Sequence, residues 1–175
     1  MITLRELAAA DVPAVRRVYS GASVRFTHDR PYTTGQAHDR VSRALAAARE
    51  KPRVRWDFGV VHGWDLVGTI SLRLREPGLG TLGYILREDT WGRGYTTHAA
   101  RQVVAFAFTL AGLDCLEAKH HPGNPASGRV LVKAGFTRVG TAGLPHTDGV
   151  VVPYPVYGFH RALWACGRTG PEGRH

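Results

Sequence analysis

The residues best placed to do chemistry in this chain fall in the segment Trp91-Gly92-Arg93-Gly94-Tyr95-Thr96-Thr97, just ahead of a helix-like run, HAARQVVAFAFTLAG. A helix start leaves backbone N–H groups without partners and carries a partial positive charge, and glycines before it let those donors approach an anion with no Cβ in the way. Phosphate is a natural ligand for such a loop. The same two glycines could equally serve to turn the chain from strand into helix. Two other phosphate loops fit poorly. No lysine follows either glycine at the spacing GxxxxGK[ST], and Thr97 stands where a dinucleotide fingerprint needs its third glycine.

Further along, Asn124 before Pro125 has the form of a helix N-cap, with Ser127 in the first turn behind it. The strand-like run CLEAKHH alternates so that Leu116, Ala118 and His120 share the apolar face, while Glu117 and Lys119 point to solvent. His146 and Asp148 form a further titratable pair in the loop before the final strands. Cys115 and Cys166 lie far apart with no CxxC spacing, so neither a disulfide scaffold nor a metal site is expected.

These groups must be held by an alternating set of elements. ITLREL reads as a strand, and DVPAVRRVYS as a helix with Asp11 at its N-cap and Pro13 in its first turn. A second helix is predicted over Gln36 to Arg49. Between the two helices, Phe26 to Thr34 reads as a loop able to cover a site. WDFGVVHG, LVGTISLRL and TLGYIL then alternate as three strands with turns at Gly63-Trp64-Asp65 and Pro77-Gly78, an antiparallel meander. The helix after the glycine loop has Ala99, Val103, Phe106, Ala107 and Leu110 on one face and Gly112 as its stop. CLEAKHH, a short helix from Pro125 to Ala134-Gly135, FTRVGTA and the run around VVPYPVYGFHRAL complete the chain. The pattern is α+β, with a parallel crossover inside a mixed sheet.

At 175 residues with no internal repeat, the chain reads as one domain over 1–165 with a flexible C-terminal tail at 166–175. No apolar run approaches the ~20 residues of a membrane-spanning helix, and the acidic N-terminus does not resemble a signal peptide, so the cytoplasm is the expected location. Twenty-three Lys plus Arg against fourteen Asp plus Glu give a formal charge of +9. That excess is met either by an ordinary solvated surface or by an anionic partner, a phosphorylated cofactor or RNA. The aromatic VVPYPVYGFHRALW end has two uses open to it, core burial or a homodimer interface.

From Gly83 to Gly140 the sequence resembles the GNAT superfamily of acetyl-CoA-dependent N-acetyltransferases, and within it the RimJ/RimL-type branch. The resemblance is carried, without gaps, by strand, WGxGYxT, long helix, strand and NxxSxRVLxKxGF. It implies a mixed, mostly antiparallel sheet of about seven strands flanked by helices, with two strands splayed at the acetyl-CoA site. By resemblance, Trp91, Gly92, Arg93, Gly94, Tyr95 and Thr96 cradle the pyrophosphate, and Ile85, Leu86 and Arg87 offer a strand edge to the pantetheine arm. An N–H near Leu86 would stabilise the oxyanion. Asn124 and Ser127 form the second half of the site, with Ser127 donating a proton to the leaving thiolate. Many members place a tyrosine four residues later, where this chain has Leu131, which favours Ser127. Position 98, usually Glu in this branch, is His98. His120 is the candidate base or water-positioning residue, or else a structural histidine. His146 and Asp148 are further candidates because their loop often lines the acceptor pocket.

The function that follows is direct transfer of an acetyl group from acetyl-CoA to a primary amine, a protein N-terminus or a small molecule, in a ternary complex. Two other readings are a GNAT-like CoA-binding protein with weak catalysis and an RNA-directed member acetylating aminoacyl-tRNA. RNA or the ribosome is thus a candidate partner, and the identity of the amine is not encoded in any motif.

Overall fold

The structure is a computed structural model that describes residues 1–27, 29–145 and 149–168. His146 and Asp148 therefore lie outside the described residues. One seven-stranded sheet runs in the order β1-β2-β3-β4-β5-β7-β6. Its strands are β1 (Ile2–Glu6), β2 (Arg55–His62), β3 (Asp65–Glu76), β4 (Leu79–Leu86), β5 (Cys115–Lys119), β6 (Thr137–Pro145) and β7 (Val151–His160). Every neighbouring pair is antiparallel except β4 and β5. The parallel pair is closed by the crossover through helix α3 (Tyr95–Thr109), as parallel strands require a long connection.

The remaining helices are α1 (Val12–Val18), α2 (Thr34–Ala47), α4 (Pro125–Ala134) and α5 (Arg161–Arg168). Helix α5 takes in residues 166 to 168 of the segment expected to be a tail. None of the described helices is long and apolar enough to cross a membrane.

Alternation along the strands sends side chains to two apolar layers. On one face Ile70, Leu72, Leu82, Leu116 and Val60 pack with Val103, Ala107 and Phe108 of α3 and Leu131 of α4. On the other, Leu66 and Ile85 pack with Val15, Val18, Ala37 and Val41 of α1 and α2. From the aromatic C-terminal end, Tyr157 and Phe159 join the first layer, where Phe159 meets Phe108 and Phe136 edge-on at 5.6 and 5.4 Å.

Helix starts follow the sequence closely, with one correction. Thr33 caps α2 through a reciprocal box with Gln36. Asp11 makes no side-chain cap to α1. Its carboxylate instead accepts from the Ala8 N–H and from both terminal nitrogens of Arg5, each at 2.7 Å. A 3-10 turn, Ala9–Asp11, runs straight into α1, so the capping position moves back to Ala8 and Asp11 becomes the third residue of that turn.

Candidate active site

β4 and β5 pair only from Leu79 to Leu82 and from Cys115 to Ala118. Past that point β4 stays with β3 as far as Leu86, while β5 follows β7, and the parallel strands part. The Arg87 N–H donates to the Val67 carbonyl at 2.8 Å. Bonded and non-bonded pairs alternate in an antiparallel ladder, so the neighbouring Gly68–Leu86 pair is non-bonded. Leu86 thus directs its N–H and C=O away from β3, toward the split. Trp91 Nε1 donates to that carbonyl at 3.0 Å, and the N–H is the donor the strand edge offers.

A cavity of about 320 Å³ occupies the split. Tyr84, Ile85 and Leu86 form its β4 wall; Trp91, Gly92 and Thr96 come from the glycine loop and the start of α3. Lys119, His120 and His121 come from the end of β5, and Asn124, Ala126, Ser127 and Val130 from the start of α4. The segment between α1 and α2 adds Ala22, Ser23, Phe26 and Thr27, and β7 adds Tyr154. The loop read as a cover does reach the site, and it does so through the residues at and before its start.

The glycine loop is conformationally demanding. Gly92 and Gly94 hold φ of 74° and 75°, and an added Cβ at either would meet no protein atom within 4 Å. Glycine is required there for the left-handed backbone, not for lack of space. The first helical bond of α3 runs from the His98 N–H to the Gly94 carbonyl at 3.1 Å. N–H groups of residues 92 to 97 are therefore not consumed by the helix ladder, whereas the Trp91 N–H, also expected to face the anion, donates to the Glu88 carbonyl at 3.2 Å.

Not every expected binding residue faces the cavity with its side chain. Arg87 is committed to Asp65 at 2.6 and 3.1 Å and to Asp89 at 2.6 and 3.0 Å. Those two carboxylates push its pKa still higher, and the cluster pins the end of β4 to the β2–β3 hairpin. Tyr95 stacks on His62 at 4.8 Å and packs toward the core. Gly94, Arg93 and His98 are exposed and form no part of the cavity wall. Lys119 shares a face with Glu117, as strand alternation predicts, and pairs with it at 3.0 Å; its place as the last residue of β5 also brings it to the cavity edge.

At the start of α4, Asn124 Oδ1 accepts from the Ser127 N–H at 3.2 Å, a cap worth about 1 kcal/mol. Ser127 meets Tyr84, whose hydroxyl lies 2.8 Å from Ser127 Oγ. Burial pushes the Tyr84 phenol up to about 12, against a smaller opposing effect of its bond to Ser127. In the sequence Tyr84 is marked only as a residue of the TLGYIL strand. Strand period was the available signal, since Tyr84 shares a face with Leu82 and Leu86.

His120 is 8% exposed. Its Nδ1 lies 2.7 Å from the His121 carbonyl oxygen, which only a protonated Nδ1 can satisfy, so the neutral ring carries its lone pair on Nε2. Nε2 stands 3.5 Å from the Tyr157 hydroxyl. Among the described residues no group of three or more His, Cys, Asp or Glu could hold a metal ion.

An open strand edge, a left-handed glycine turn into a helix N-terminus and a hydroxyl pair beside them define, on this fold, an acyltransferase. The family described as Acetyltransferase (GNAT) domain matches residues 1–137, and the chain belongs to it. It is 26% identical over 143 residues to the uncharacterized N-acetyltransferase p20 of Bacillus licheniformis, covering 79% of this chain and 80% of that one. In fold it is similar to an acetyltransferase (GNAT family) from Bacillus anthracis, with a TM-score of 0.81 at 20% identity, covering 92% of this chain and 95% of that one. The Microcin C7 self immunity acetyltransferase MccE, solved with acetyl-CoA and AMP, also superposes with a TM-score of 0.81 at 14% identity, covering 91% and 92% of the two chains.

Proposed function

We propose that the protein transfers the acetyl group of acetyl-CoA directly to a primary amine within a ternary complex, using a RimJ/RimL-type site. The observation that carries this reading is the split between β4 and β5, with the Leu86 N–H directed into it and the α3 N-terminus and Ser127 on its walls. These residues fit acetyl-CoA. The unconsumed N–H groups of residues 92 to 97 would take the pyrophosphate, and the edge of Tyr84 to Leu86 would take the pantetheine amides. Acetyl-CoA supplies an activated thioester.

The chain's own groups then divide the work. The Leu86 N–H would hydrogen-bond the thioester oxygen as negative charge grows on it. The cavity walls hold the amine nitrogen against the carbonyl carbon, so that the C–N bond forms as the C–S bond breaks. His120 Nε2 would receive the proton released by the nitrogen. Ser127 Oγ would give its proton to the departing sulfur, and Tyr84, 2.8 Å from Ser127 Oγ, would pass on a replacement proton that it regains from solvent. Leu131, at the position where many relatives carry a tyrosine, is only 1% exposed in the core, which supports Ser127 as the donor.

The test is a thermal-shift titration with acetyl-CoA, with the Gly94→Glu variant in parallel, followed by thiol-release assays with a panel of amines. Ligand at ~100 times its dissociation constant stabilises by about 2.7 kcal/mol. A saturable rise in the wild type that is lost in the variant, with amine-dependent thiol release, is the expected result. No rise at millimolar acetyl-CoA would overturn the reading.

A further inference from the structure

The wall of the cavity formed by the segment between α1 and α2, the end of β5 and β7 has a composition that the glycine loop and the thioester do not explain. Phe26 and His121 stack with ring centroids 5.3 Å apart, and Tyr154 meets His121 edge-on at 5.5 Å. All three rings are partly exposed and line the cavity. Ser23, on the same wall, is 7% exposed, and its hydroxyl has no hydrogen-bond partner among the described residues. A buried hydroxyl is normally satisfied, so a partner supplied by a bound molecule is the natural completion.

Charge points the same way. Among the described residues lining the cavity there is no carboxylate, while Lys119 is cationic. Arg25 lies over the Phe26 ring at 5.4 Å. Among the described residues three acids stand beside the wall: Asp29, close enough to help burial raise the Tyr154 phenol, Glu117, paired with Lys119, and Glu88, which accepts from the Ala22 N–H. With no carboxylate among the described residues of the wall itself, and with Glu117 and Glu88 already bonded at its edge, the cavity is a poor receptor for a molecule bearing several ammonium groups.

Resting on the acetyltransferase reading above, we propose that the acceptor is a monoamine carrying an aromatic group and a neutral polar function, not a polyamine or an aminosugar. The aromatic group of the acceptor packs against Phe26, His121 and Tyr154, and Ser23 Oγ bonds the polar function beside the amine.

The experiment compares kcat/KM for L-phenylalaninamide, L-alaninamide, spermidine and kanamycin at saturating acetyl-CoA, in the wild type and in Phe26→Ala and Ser23→Ala. The expected result is a phenylalaninamide to alaninamide ratio of about tenfold or more, with spermidine and kanamycin below alaninamide. Phe26→Ala brings the ratio close to one, and Ser23→Ala lowers kcat/KM for both amides with the ratio kept. Ratios within one protein are insensitive to the folded fraction. Faster turnover of spermidine or kanamycin than of phenylalaninamide would overturn the proposal, as would a ratio near one in the wild type or an unchanged ratio in Phe26→Ala. Calorimetric titration with acetyl-CoA separates the two levels. Binding without turnover of either amide sinks the acceptor class alone, whereas absence of binding sinks the acetyltransferase reading beneath it.

Discussion

The Tyr84 hydroxyl lies 2.8 Å from Ser127 Oγ and 3.0 Å from the Ser127 carbonyl oxygen, tying β4 to the first turn of α4. With its pKa pushed up to about 12 by burial, the phenol is protonated at any pH used for an assay. It can donate and relay a proton, but it cannot act as a base. Tyr84→Phe is therefore expected to lower kcat by roughly tenfold or more, with KM for acetyl-CoA little changed and the pH–rate limbs below pH 10 unmoved. Steady-state kinetics across pH checks this. Loss of acetyl-CoA binding in the variant would instead assign Tyr84 a purely architectural role.

Gly128 separates helix propensity from site geometry. An alanine within a helix normally gains about 1 kcal/mol over glycine, yet a Cβ here would stand 2.7 Å from His120 Nε2 and 2.8 Å from the Tyr157 hydroxyl. The imidazole is held from its other side by the His121 carbonyl, so it must tilt. Gly128→Ala should cut kcat by roughly a hundredfold, the scale of a misplacement near 1 Å. Melting followed by circular dichroism should move by no more than a few degrees.

At Gly68 the demand is on the backbone of the splayed strand. A Cβ would come within 2.7 Å of the Ile85 carbonyl oxygen and of Leu86 Cγ, and neither can yield without moving β4. Gly68→Ala is expected to cost about 1–3 kcal/mol, seen as a lowered midpoint in urea unfolding. A midpoint equal to that of the wild type would show that β3 and β4 separate freely there.

Asp11 gives the protein an acid-sensitive element. Its hydrogen bonds from Arg5, and more weakly from Ala8, hold the carboxyl below its ordinary value, against the opposing effect of burial. A carboxylate depressed in the folded state adds stability above its unfolded pKa of about 3.9 and loses it as pH falls through the lower folded value. Arg5 is half-exposed, so salt screens part of the effect. Asp11→Asn should be about 1 kcal/mol less stable at pH 7, and the difference should shrink below pH 4. Urea midpoints at pH 7, 4 and 2.5 read this directly.

Local signals carried most of the fold. The alternation in WDFGVVHG, LVGTISLRL and TLGYIL and the stops at Gly112 and Gly135 depend on near neighbours in the chain, and the elements fall within a few residues of those expected. Asp11 departed from its expected role because a 3-10 turn and an α-helix run together there, and their boundary is not marked by residue type. His146 and Asp148 fall outside the described residues.

By itself the sequence determined the family, the parallel crossover and two segments of the cavity wall, because glycine spacing, an Asn-Pro cap and strand period are written in consecutive residues. Tertiary structure alone decided which groups share the cavity. Tyr84 meets Ser127 across 43 positions of chain, Arg87 is drawn away from the cavity by Asp65 and Asp89, and Phe26 is carried to His121. Such encounters follow from how the sheet splays and which face each helix covers, and no local pattern encodes them.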